Sequence, residues 1–130
     1  MRILAPSSKP ICGLFAIALA TYDRRVCDIE AFFADKKRGN WKGRLYWFEI
    51  LAALKHFGVK TKAVTGVKGL TAVALQDHLV PGKHYLVRVT GHIFTCRDGI
   101  LWDQTHNAGA PVESTRSAKR RTKSVLEIKK

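Results

Sequence analysis

Acidic side chains are scarce in this 130-residue chain: ten Asp and Glu stand against 23 Lys and Arg, a net charge of +13. Such a one-sided balance draws a protein toward nucleic acid, acidic protein or anionic surfaces. Cysteine is also sparse. Cys12, Cys27 and Cys96 make an odd count with no close pairing pattern, which argues against a secreted disulfide framework and fits a reducing compartment. None belongs to a CxxC, and His84, His92 and His106 lack paired metal-ligand spacing, so neither a metal nor another cofactor is expected. No apolar stretch is long enough to span a bilayer, no internal repeat appears, and no membrane partner is expected.

What is present suffices for one core. Apolar residues make up 46% of the chain, and a chain of this length folds as one domain without metals or disulfides. The domain is expected over residues 1–112. Beyond Gly109-Ala110-Pro111 the composition turns polar and basic, so residues 113–130 read as a flexible basic C-terminal tail in which Val125-Leu126-Glu127-Ile128 adds at most a short edge element. Arg116, Lys119, Arg120, Arg121 and Lys123 within that tail are candidate nucleic-acid contacts.

Ile11 to Ala20 is apolar on all sides, the pattern of a helix buried in a core. Ser7-Ser8-Lys9-Pro10 before it supplies N-cap candidates and a proline suited to the first turn. Cys12 falls in that first turn, where unpaired N–H groups and the positive end of the helix dipole favour thiolate over thiol. Arg2 and Lys9 ahead of an apolar run ending in Ala18-Leu19-Ala20 also imitate a secretory signal. Pro6 and Pro10 interrupt that pattern, and cleavage would discard Cys12, so the segment is read as part of the fold.

Further along, Asp28 caps a helix over 29–36 with Ile29, Phe32 and Phe33 on one face. A longer helix is expected from Leu45 to His56, burying Trp47, Ile50, Leu51 and Leu54, with Gly58 as its C-terminal cap. Val59 to Val64 is a short strand, Thr71 to Leu79 a short helix closed by Pro81-Gly82, and His84 to Val89 the clearest strand. Gly91 to Gln104 then reads as a β-hairpin around Asp98-Gly99, a dipeptide that favours the two-residue type I′ turn. In that register Phe94 faces Asp103, and His92 and Asp103 are diagonal neighbours on one face, where a carboxylate can fix an imidazole's tautomer and orientation. A three-residue loop would instead bring Gln104 opposite His92, so Gln104 and Asn107 remain alternative orienting groups. Helices followed by a run of antiparallel strands define an α+β fold.

The Cys12 helix, the helix ending Leu54-Lys55-His56-Phe57-Gly58, the strand Pro81-Gly82-Lys83-His84-Tyr85-Leu86-Val87-Arg88-Val89, and Gly91-His92 leading to Asp98-Gly99 and Asp103 together resemble small papain-like cysteine peptidase domains of phages and mobile elements. More distantly they are similar to the bacteriocin-processing peptidase domains of ABC exporters. The resemblance spans roughly residues 10–108. It implies a papain-like fold with a buried N-terminal Cys helix packed on a small antiparallel sheet, and a thiol protease acting on a peptide or protein substrate. It casts Cys12 as nucleophile, His92 as general base and acid and Asp103 as orienting carboxylate, with His84 a rival for the histidine role. A host-cell cytoplasm or a virion is the implied location. Such enzymes commonly carry a Gln a few residues before the cysteine to bind the oxyanion. Here Pro6, Ser7, Ser8 and Lys9 occupy that stretch, leaving Ser7 and Ser8 as oxyanion candidates. The alternative expectation is therefore a non-catalytic phage virion or nucleic-acid-associated protein that keeps a degenerate peptidase fold and uses its basic surface.

Overall fold

The computed structural model describes residues 16, 17, 20, 21, 29, 31–33, 46–103, 105, 106 and 108–129. Cys12, Ser7, Ser8, Cys27, Trp41, Gln104 and Asn107 lie outside the described residues. Within the apolar N-terminal run, Ala16, Ile17 and Ala20 are helical and at most 2% exposed, as expected of a helix apolar on every side. Ile29 and Phe33 are likewise helical and buried.

Helix α1 is Trp47–His56. Glu49 Oε1 accepts the Tyr46 N–H at 2.9 Å and so closes its first turn. At the other end the Gly58 N–H donates to the Lys55 carbonyl and the Val59 N–H to the Leu54 carbonyl, a Schellman closure that satisfies carbonyls the helix leaves open. Its buried stripe is Ile50, Ala53 and Leu54. Leu51, expected on that stripe, is 36% exposed. Ala53 takes its place, three residues after Ile50 and so on the same helical face.

Strand β1, Lys60–Ala63, has all four residues exposed. Helix α2, Ala72–Leu75, starts at Thr71, whose Oγ1 accepts the Ala74 N–H, and continues as a 3₁₀ turn over Gln76–His78. Strands β2 (His84–Val89), β3 (His92–Arg97), β4 (Ile100–Trp102) and β5 (Ala110–Pro111) follow. Two 3₁₀ turns, Val112–Ser114 and Arg116–Lys119, lead to β6, Thr122–Lys129.

The six strands form one antiparallel sheet in the order β1-β6-β2-β3-β4-β5. The fold is therefore α+β. The expectation of a flexible tail over 113–130 is overturned: β6 is an interior strand, pairing Lys60 with Lys129 on one side and Leu86 with Leu126 on the other. Its register slips between Arg88 and Val89, so that Lys123 lies between the paired residues Thr122 and Ser124. Such a bulge breaks the strict two-residue alternation that marks a strand.

Each face of the sheet is covered. On one, Leu86, Ile93, Leu126 and Ile128 pack with Ala16, Ile17, Ala20, Ile29, Phe33 and the α1 stripe. On the other, Tyr85, Val87, Val89, Phe94, Cys96, Leu101 and Val125 pack with Val67, Ala72, Leu75 and Val112. Fully burying a Val, Leu, Ile or Phe side chain stabilises by roughly 1.5–3 kcal/mol relative to exposure, so these two clusters hold the strands together. Among the described residues, no helix is long and apolar enough to cross a membrane.

Candidate active site

The hairpin β3–β4 builds the site. Arg97 pairs with Ile100, Cys96 with Leu101 and Thr95 with Trp102, leaving Asp98 and Gly99 as a two-residue loop. Both have positive φ, 53° and 77°, the signature of a type I′ turn whose twist matches the strands it joins. Asp98 Oδ1 also accepts the Gly82 N–H at 2.7 Å and ties the loop to the turn before β2. The register that would set Gln104 opposite His92 is thereby excluded.

With this register His92 and Asp103 meet. His92 Nε2 lies 2.8 Å from Asp103 Oδ2, with the two side chains 17% and 6% exposed. The other carboxylate oxygen, Oδ1, accepts the Thr105 N–H at 3.0 Å, the His106 N–H at 2.7 Å and a contact from His106 Nδ1 at 3.1 Å. An aspartate that receives the N–H groups two and three residues on is an Asx-type turn, so the chain just beyond β4 wraps around its own carboxylate. Burial pushes the Asp103 pKa up. The His92 hydrogen bond, the His106 N–H, the His92 charge and the His106 ring outweigh that and hold it at about 2.

An ionised carboxylate only accepts hydrogen bonds, so His92 carries its proton on Nε2, and in the neutral ring Nδ1 is the basic nitrogen. A carboxylate–imidazole pair of this kind moves protons for an adjacent nucleophile and stabilises the imidazolium that forms. His92 and Asp103 border a cleft of about 270 Å³ whose other walls are Gly91, Thr105, His106, Thr115, Arg116, Ser117 and Arg120.

The remaining expected residues sort as follows. Cys12, Ser7 and Ser8 lie outside the described residues, as do Gln104 and Asn107. Cys96 shares the hairpin face with His92 but is fully buried; burial, offset slightly by a hydrogen bond with Gln76, pushes its thiol up to about 12. His84 pairs with Ile128 and sits edge-on to Trp102, 6.3 Å between ring centres. Its neighbours belong to the cluster on the sheet face opposite His92. Trp47 and Trp102 are partly buried against that same cluster rather than around the cleft.

Of the basic residues, Arg116 and Arg120 form part of the cleft wall. Lys119 and Lys123 are exposed, and Arg121 Nη1 donates to the Gly69 carbonyl at 3.1 Å. Sequence reasoning missed His106. The signal was available, since Asp103-x-x-His106 immediately after a strand is an Asx-turn spacing that brings the histidine back onto the carboxylate. The placement of Arg116 and Arg120 had no local signal, because it depends on β6 joining the sheet. Among the described residues no three His, Cys, Asp or Glu side chains are grouped as a metal site. Comparison with protein-family models, curated proteins and solved structures gave no match for this chain.

Proposed function

We propose that the chain is a papain-like cysteine hydrolase acting on a peptide or isopeptide bond, with Cys12 as nucleophile, His92 as general base and acid and Asp103 as orienting carboxylate. The observation that carries it is the 2.8 Å pair between His92 Nε2 and Asp103 Oδ2. It borders a cleft. Cys12 gives its proton to His92, and the thiolate attacks the carbonyl carbon. The tetrahedral intermediate collapses to an acyl-enzyme as His92 protonates the departing amine. Water then adds to the acyl carbon, giving a proton to His92, and collapse releases the acid and restores the thiol. Ser7, Ser8 and the Cys12 N–H are the candidate donors to the oxyanion. A single such donor is worth about a hundredfold or more in rate, so the chain's departure from the usual upstream Gln points to modest turnover. A peptide or protein is the substrate on this reading. The charge of +13 draws the enzyme to polyanions, nucleic acid or virion components in a host cytoplasm.

Alkylation with iodoacetamide at pH 6.5 is the test. A thiol of ordinary pKa near 8.5 is about 1% thiolate there, whereas one lowered below 7.5 is at least about tenfold richer. Cys12 is expected to react about tenfold faster than Cys27, and Cys96 slowest of all, with His92→Ala removing the Cys12 advantage. Equal rates at Cys12 and Cys27, unchanged by His92→Ala, sink the proposal.

A further inference from the structure

We infer that the cleft beside His92 is a subsite for a carboxylate of the substrate, with the guanidinium groups of Arg116 and Arg120 as its cationic walls. The inference rests on His92 marking the reacting side of the cleft. Both arginines line the same cavity as His92. Arg120 Nη1 stands 4.0 Å from where a Cβ on Gly91 would lie, which sets the guanidinium over the residue preceding His92. Gly91 itself has a φ of +74°, a conformation that favours glycine.

Among the described residues the ion pairs join Lys83 to Glu127 and the two histidines to Asp103, and none involves Arg116 or Arg120. The acidic group in the cleft is already committed: Asp103 holds His92, Thr105 and His106. Two cationic side chains on one cleft wall favour an incoming anion.

The backbone at Arg120 is anchored. The Arg120 carbonyl accepts the Ala72 N–H at 3.0 Å, the Arg120 N–H donates to Ser117, and the Arg121 carbonyl accepts the Thr90 N–H at 3.0 Å. Segment 120–121 is thus fastened to the residue next to Gly91. A guanidinium matches a carboxylate through a two-pronged fork, and a cleft of about 270 Å³ is sized for a side chain or a chain terminus rather than a nucleic-acid strand. The lysines Lys60 and Lys62 lie on β1, at the edge of the sheet away from β3.

The test uses the full chain carrying Cys12→Ala, which leaves peptides uncut, and titrates it with Ac-Gly-Glu-Gly-NH2, Ac-Gly-Gln-Gly-NH2 and Ac-Gly-Gly-Gly-OH while NMR follows the Gly91 amide and the Arg120 Nε–H. The Glu peptide is expected to move both signals and to bind about fivefold or more tightly than the Gln peptide, the scale of an ion pair at a partly exposed site. If the free-acid peptide takes that advantage instead, the subsite reads a chain terminus. Arg116→Gln with Arg120→Gln erases the preference while the β3–β4 amides stay in place, and Lys60→Gln with Lys62→Gln preserves it. Equal affinity for Glu and Gln peptides overturns the inference, as does a preference that survives the double arginine variant. Tighter binding of oligothymidylate at the same two signals also overturns it, in favour of a nucleic-acid site. Cleavage of the same peptides by the unmodified chain is measured separately. A Glu preference without cleavage supports the subsite and counts against the hydrolase.

Discussion

Replacing Asp103 with Asn should make the stability of the protein less sensitive to acid, by an amount that follows from the carboxylate's surroundings. The folded Asp103 has its pKa lowered from 3.8 to about 2, with the residue only 5% exposed. A depression of that size corresponds to about 2 kcal/mol, at 1.36 kcal/mol per pKa unit. Because the folded value is the lower one, this stability is fully present above the unfolded pKa. It is lost as pH falls from there through the folded pKa. About half of it should be gone by pH 3, whereas Asn at the same position, able to accept the Thr105 and His106 N–H groups but without a titrating group, has nothing to lose. Urea unfolding at pH 6 and pH 3, followed by tryptophan fluorescence, should show the wild-type advantage over Asp103→Asn shrinking by about 1 kcal/mol. A difference of the same size at both pH values would refute the account of Asp103 as an ionised carboxylate held by His92 and His106. Hydrolysis should fall in the same variant at neutral pH, since an amide in place of Oδ2 presents an N–H to His92 Nε2 and favours the opposite tautomer.

Two further outcomes follow. Gly99→Ala, at a φ of 77°, should cost about 1–2 kcal/mol in urea unfolding and broaden the His92 ring signals in NMR; an unchanged midpoint would contradict the two-residue turn. A chain ending at residue 121 loses β6 and with it the link between β1 and β2, so it should show no cooperative unfolding transition. Near-native stability of that fragment would restore the reading of residues 113–130 as a tail.

The site was more legible in the sequence than the sheet that carries it. Asp98-Gly99 dictates its turn through local backbone chemistry, and turn length fixes register, so the meeting of His92 with Asp103 could be read from a stretch of about a dozen residues. Strand β2 was equally plain because both its faces are buried, giving a continuous apolar run. Strand β6 was obscured by its bulge at Lys123 and by the exposed or half-exposed polar residues Ser124, Glu127 and Lys129 among the buried Val125, Leu126 and Ile128. What makes it an interior strand is its pairing with β1 and β2, and such distant partners leave no mark on local composition. Arg116 and Arg120 were lost for the same reason: a segment taken for a solvated tail gave no cause to place two of its arginines beside His92. The contribution of Cys12 rests on the sequence, since it lies outside the described residues.

The interior position of β6 also sets an order of events for a newly made chain. The Asp98-Gly99 hairpin can close as soon as its own residues exist, and the His92–Asp103 contact with it. Strand β1 waits for a partner that begins at residue 122, because the strand lying between it and β2 is made after all the others. Ladders that join such distant segments are slow to close. The arginine wall waits as well, because segment 120–121 is fastened in the stretch leading directly into that strand. A chain that has folded only as far as β4 can therefore hold the His92–Asp103 contact without Arg116 and Arg120 in the cleft wall, which follow when β6 joins the sheet.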